Sequence, residues 1–299
     1  MVKRSYILTI VFVLTAMFSF AQTASVVKAY ELYTQGEYVL ASKAIDQAVK
    51  EKEAVDDALA WQLRAIIYFE IFSRIEQKSS VSESRVISLQ SALRSMELDD
   101  EKKFYDQNIL ILDKLSNSYY NDAVKALKPL DPDNPFFAKS SFDEFVRLQK
   151  IAHPDINLDG KTIDFYRAQA TAFGNLYQNN PVMNEAFYEL TLESLQDALK
   201  LDSMNYGANY NLAIYLFNEG VYKIETINSI IDIRDIVLIE KEGVDLFKQA
   251  EPYMLRAHEL KPREETLKGL KLIYRSLNNI DKYEYYSNEL DLFLENKTE

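Results

Sequence analysis

The chain has 299 residues, no cysteine and a formal charge of −12. The lack of thiols excludes disulfides, thiolate metal sites and thiol nucleophiles, and no cysteine-borne lipid anchor is expected; an acidic body disfavours nucleic acid and anionic membranes as partners. With 7 glycines, 7 prolines and 47% hydrophobic residues, the composition favours continuous helices over turn-rich sheet, and 27% charged residues is ordinary for a folded soluble chain.

The opening run "MVKRSYILTIVFVLTAMFSFAQ" has the three parts of a secretory signal: Lys3 and Arg4, an apolar stretch over residues 6–20, then the small residues Ser19 and Ala21. Cleavage is expected after Ala21. The remainder, starting at Gln22, would then be exported to the periplasm or beyond. The apolar stretch is short for a span of about 20 residues, which leaves an uncleaved anchor as the alternative. ATP is scarce outside the inner membrane, and the sequence holds no glycine-rich phosphate loop.

Helices are predicted at 24–36 and 37–52. From Ala29, Gly36 follows by seven and Tyr38 by two more; Ala41, Ile45 and Ala48 then recur at threes and fours. Gly36 would let the chain leave one helix and turn into the next. Small Ala29 and Ala41 would let the two helices approach closely. A second pair is predicted at 55–75 and 83–98, joined by the polar loop "EQKSSVSES"; Trp61, Ala65 and Tyr68 mark its first helix. Apolar periodicity over Phe104, Ile109, Leu112, Leu115 and Tyr119 or Tyr120 predicts a long helix at 101–127. "KPLDPDNP" breaks it, and residues 129–135 are the candidate seam between one set of repeats at 22–128 and another at 137–299. Helices then follow at 137–152, 161–178, 182–200, 205–228, 234–260, 263–277 and 279–295.

The spacing of Ala29, Gly36 and Tyr38 returns at Ala213, Gly220 and Tyr222, but its continuation waits until Ala250, Met254 and Ala257. A segment at about 221–245 is therefore inserted into one repeat. Both helices of that hairpin are expected to grow by about three turns and project, closed by Ile224, Ile227, Ile231, Ile236 and Ile239, as a surface for a partner or for self-association. "DIRDIVLI" partly alternates, so a loop with a short strand is the alternative.

These spacings, with the helix endings "LQDALKLDS", "AHELKP" and "SMELDD", resemble the tetratricopeptide repeat (TPR) family over residues 24–72 and 186–295. The insertion and the stretch "LKGLKLIYRSLNNIDKYEYY" are similar to those of exported bacterial TPR-containing proteins. An unrelated helical bundle with chance alanines is the competing account. The resemblance implies an all-α, TPR-like helix-pair solenoid with one elongated hairpin near its C-terminal end. It implies a non-catalytic scaffold for protein–protein interaction in the cell envelope, with no cofactor. In that register one face of each first helix lines a groove: Val26, Tyr30 and Tyr33, then Gln62, Ile66 and Phe69, then Tyr210, Ile214 and Phe217. The same side chains would equally serve packing between repeats. The face carries few lysines or arginines, so it suits an apolar segment of a partner protein or peptide better than an acidic tail. An envelope glycan-binding protein is the alternative function, with Trp61 as the single tryptophan for sugar stacking; a helical hydrolase is a more distant one.

Other chemistry-bearing patterns are sparse. "DINLDG" at 155–160 matches the first half of an EF-hand loop through Asp155, Asn157, Asp159 and Gly160. Tyr166 stands where the closing acid belongs and Asp164 comes two residues early, so a polar turn capping the next helix is the preferred reading. His153 is expected to end a helix before Pro154, and His258 to sit on a helix surface. With 46 acids, neighbouring carboxylates such as Asp99 with Asp100 mean solvated faces. No catalytic residue and no metal site is expected.

Overall fold

The computed structural model describes residues 24–227 and 232–298. The leader expected at 1–21, and Ile231 of the insertion, lie outside the described residues. Twelve α-helices, and no strand, make up the described regular structure. They follow as α1 (Ala24–Thr34), α2 (Tyr38–Ala48), α3 (Ala58–Glu70), α4 (Glu83–Leu98), α5 (Tyr105–Ala126), α6 (Phe137–Ala152), α7 (Asp159–Asn179), α8 (Ala186–Leu201), α9 (Tyr206–Glu225), α10 (Ile233–Leu260), α11 (Glu264–Ser276) and α12 (Ile280–Thr298). α1 pairs with α2, α3 with α4, α7 with α8, α9 with α10 and α11 with α12, as the TPR-like, all-α fold requires. The strand alternative for "DIRDIVLI" is excluded, because that run lies at the start of α10. One predicted helix, 55–75, differs: α3 stops at Glu70 and a single π-helical turn, Ile71–Ile75, follows.

Two compact units emerge. One holds α1–α5 and residues 136–156, which include α6; the other holds residues 126–135 and everything from Asn157 onward. The proline-rich seam at 129–135 places 137–152 with the later repeats. The reason for the difference lies in α5, whose Tyr120 packs its ring 5.1 Å from Phe145 and 6.3 Å from Phe142 of α6, while Ser116 accepts from Gln149 Nε2 at 2.7 Å.

In the first unit, α1 and α2 turn at Gly36, whose φ of +82° lies where side chains other than glycine are strained. The Gly36 amide donates to Tyr33 O at 3.0 Å and that of Glu37 to Leu32 O at 2.9 Å, closing the end of α1. Val26, Ala29, Ala41, Ile45 and Ala48 then meet Ala60, Leu63 and Ile67 of α3 in one buried cluster. Full burial of a side chain such as Ile45 or Leu63 contributes about 1.5–3 kcal/mol. The α3–α4 seam is built differently. Ser88, Ser91 and Ser95 are fully buried. Ser88 Oγ donates to Ala65 O and Ser95 Oγ to Ala58 O, both at 2.8 Å. Small hydroxyls satisfied on the neighbouring backbone let the two helices close up beside the apolar stripe of Leu89, Ala92, Leu93 and Met96.

In the second unit, α7 and α8 pair, α9 and α10 form the long hairpin, and α11 and α12 follow. Leu195, Ala198, Leu212, Ala213, Ala250, Met254 and Leu270 share its buried cluster. Gly220 sits inside α9, not at a turn. A Cβ there would stand 2.6 Å from the Phe247 ring and 2.9 Å from Gly243 O; one on Gly243 would stand 2.8 Å from Ile224. Two glycines thus let α9 and α10 touch backbone to backbone. Beyond this crossing Ile224, Ile236 and Ile239 are half-buried, while Ile233, Val237 and Leu238 stay 75%, 59% and 58% exposed.

Candidate functional site

The first unit contains a cleft of about 90 Å³ between the α1–α2 turn, α3 with its π turn, and α5. Tyr33 and Tyr38 flank Gly36 and enter the cleft as a pair with ring centroids 5.8 Å apart. Ile66 and Phe69 come from α3. Gln107, Leu110, Ile111 and Lys114 come from α5, at the 0, 3, 4, 7 spacing that puts them on one helix face. The π turn supplies the rest. Its wider register turns Ile71 and Phe72 into the core, while Glu70 and Arg74 line the cleft and pair with each other. Single π turns recur at functional sites for this kind of re-aiming.

The floor is apolar, from Ile66, Phe69, Leu110 and Ile111, and the rim is charged. The Arg74 guanidinium lies 5.9 Å from the Tyr38 ring centre and the Lys114 ammonium 5.2 Å from that of Phe69. Burial, reinforced by the negative charge of Glu70, pushes the Tyr33 hydroxyl well above the ordinary phenol range, so it stays a donor at neutral pH. Hydrogen bonding to Glu70, with the attraction of its charge, holds the Arg74 cation. Gln107 Oε1 is buried with no hydrogen-bond partner. The cleft is too small for a typical small-molecule site of about 300–1,000 Å³. It has room for one apolar side chain, with two cations around it.

Of the nine residues predicted for the groove, Tyr33, Ile66 and Phe69 meet in this cleft. Tyr30 is half-buried against the cores of the first unit. Val26 and Gln62 are each 1% exposed and serve packing; Ile66 itself shows only its edge, at 8%. Tyr210, Ile214 and Phe217 lie in the second unit, half-buried against its core, with Tyr210 stacked on Tyr206 at 6.0 Å and Phe217 against Phe247 at 5.1 Å. The expectation of a face poor in cations needs correction: Arg74 and Lys114 stand at the cleft. Sequence reading missed both, with Tyr38, Glu70, Gln107, Leu110 and Ile111. The 107-110-111-114 stripe and the i,i+4 pair of Glu70 with Arg74 were the available signals.

The remaining candidates take structural places. Asn157 Oδ1 accepts from the Asp159 amide at 2.8 Å in the turn that opens α7. His153 follows the end of α6 and its Nε2 lies 2.9 Å from Asp113 Oδ1. His258 is half-buried rather than on the surface, its Nδ1 2.9 Å from Thr266 Oγ1 and its ring edge-on to Tyr286. Trp61 directs its indole N–H to Val55 O at 2.8 Å. Among the described residues no group of three His, Cys, Asp or Glu side chains could hold a metal ion, and no helix is long and apolar enough to cross a membrane.

No family model matches the chain, and no curated protein matches it in sequence. Among solved structures, a monomeric mutant of IFIT1 with Gppp-AAAA and a second IFIT1 mutant with m7Gppp-AAAA each align over 94% of this chain and 71% of theirs, at 14% identity and a TM-score of 0.36. At that distance the likeness carries nothing about ligand or partner.

Proposed function

We propose that this chain is an exported, non-catalytic TPR-type scaffold that binds other proteins through the cleft of its first unit. The observation that carries the reading is the cleft itself. An apolar floor closed by Phe69 and Leu110 lies beside two fixed cations. An apolar side chain of a partner segment fills the floor. A carbonyl or carboxylate of the segment meets Lys114 or Arg74 at the rim. Nothing in the cleft pairs a nucleophile with a base, so binding without turnover is the chemistry it supports.

The net charge of −12 supports a protein partner over a phosphate backbone. The leader sequence supports export. The glycan alternative has less behind it, since the Arg64 guanidinium already lies over the Trp61 ring, 5.7 Å from its centre.

The test is affinity capture from envelope extract with the wild-type chain and with Leu110→Glu. Leu110 is 38% exposed, so the substitution leaves the fold intact and places a charge in the floor. A partner retained by wild type and lost by the variant supports the reading; equal capture by both defeats it. N-terminal sequencing of the secreted protein, expected to begin at Gln22, tests export separately.

A further inference from the structure

A second groove, of about 420 Å³, runs along the outer side of the α1–α2 hairpin, away from the cleft residues. Its floor is Leu32, Leu40 and Ala44, and Lys28 and Lys43 stand along it. Val26 and Ala29 of α1, and Ala41 and Ile45 of α2, point instead to the core. Both lysines are exposed, and among the described residues neither meets a carboxylate within ion-pair distance. Acids outnumber basic residues 46 to 34 in this chain, so two unmatched cations beside an apolar trough select an occupant with carboxylates beside an apolar stripe. The chain's own residues 1–23 fail that criterion, holding Lys3 and Arg4 and no acid.

The other end of the sequence offers the complement. α12 buries Leu290 but leaves Tyr285 56% and Leu292 54% exposed. Helical spacing puts Asp281, Tyr285 and Leu292 on one face, with Glu284 to one side and Glu289 to the other. In stacks of helix pairs each pair buries its flank on the next; here the α1–α2 flank and the outer face of α12 both remain open among the described residues.

We propose that a second copy of this chain seats its α12 in the α1–α2 groove, head to tail. Tyr285 and Leu292 would lie on Leu32, Leu40 and Ala44, and Glu284 and Glu289 would meet Lys28 and Lys43. The two surfaces differ, so the contact is heterologous, and successive copies extend a chain unless the rotation closes it into a ring. The patch is small, which makes assembly weak and concentration-dependent.

Sedimentation of the protein, purified as the cell yields it, over rising concentration is the test. Wild type is expected to form dimers and longer species. Lys28→Glu with Lys43→Glu disables the groove only, and Leu292→Glu disables α12 only. Each is expected to raise the dissociation constant about tenfold or more, equivalent to about 1.4 kcal/mol, with an unchanged melting temperature because all three positions are exposed. Mixing the two variants is the decisive step, since the intact α12 of one then meets the intact groove of the other. A one-to-one dimer that grows no further is expected. A wild type that stays monomeric throughout, variants that assemble as wild type does, or a mixture that does not pair would each overturn the proposal.

Discussion

The α1–α2 and α9–α10 hairpins share a sequence spacing and use its glycine for opposite purposes. Gly36 is a backbone device: its φ is +82°, and nothing lies within 4 Å of where a Cβ would point. Gly220 is a packing device: it has an ordinary helical backbone, and the Cβ position is already filled by Phe247 and by Gly243 O. The first glycine reverses the chain; the second lets it run on as helix and lets α10 press against it. One spacing thus yields a short hairpin or a long one, according to whether the residues after the glycine stop a helix or continue it.

The largest effect should come from filling the α9–α10 crossing. Gly220→Leu is expected to cost about 3 kcal/mol through overpacking and to lower Tm by roughly 10 °C. A calorimetric scan that finds Tm unmoved would show that the helices do not touch there. Gly36→Val should cost about 1–3 kcal/mol through backbone strain alone. Asn tolerates the left-handed region, so Gly36→Asn should recover most of that loss in urea unfolding, whereas Gly220→Asn should recover nothing. Equal rescue at both sites would show that the two glycines serve the same purpose.

A smaller effect concerns the far end of α10. Burial lowers the folded-state pKa of His258 from 6.5, although Glu289 and Glu259 pull it upward. The unfolded chain therefore binds the proton more readily, so this contribution is complete above about pH 6.5 and fades as pH falls toward the lowered folded value. His258→Gln should flatten stability against pH in that window; an unchanged slope would mean that the imidazole is solvated in the native state. Smallest of all should be Val237→Asp at the hairpin tip, within about 0.5 kcal/mol because the side chain is 59% exposed. A larger loss, measured by the same urea titration, would show that the tip is covered in solution.

Helix number and order were largely legible because their signals are local. The alternation of Ala29, Ala41 and Ala48 with bulky neighbours marks close crossings, and the cluster of prolines at 129–135 marks a break. The Gly-to-Ala interval of the late repeat likewise exposes the long hairpin. The cleft was legible only in part. Tyr33 and Phe69 follow from repeat register, but Val26 and Gln62 share that register and are core, because register says which face a residue takes and not how deeply the neighbouring helix covers it. Arg74 escaped because its i,i+4 spacing from Glu70 reads as an ordinary surface ion pair, and no composition signal announces the π turn beside the cleft. Lys114 escaped because contact between α5 and the α1–α3 layer joins segments some forty to eighty positions apart in sequence, where single-chain periodicity is silent.

The serine-lined seam between α3 and α4 has a thermal consequence. Ser88, Ser91 and Ser95 are sealed in the interior with their hydroxyls bonded, and Asn108 Nδ2 adds a bond to Ser95 Oγ at 2.9 Å. Exposing polar surface lowers the heat capacity of unfolding, whereas exposing apolar surface raises it. A domain cemented in this way has a flatter stability curve than one of equal size joined by leucines. It loses less of its stability on cooling.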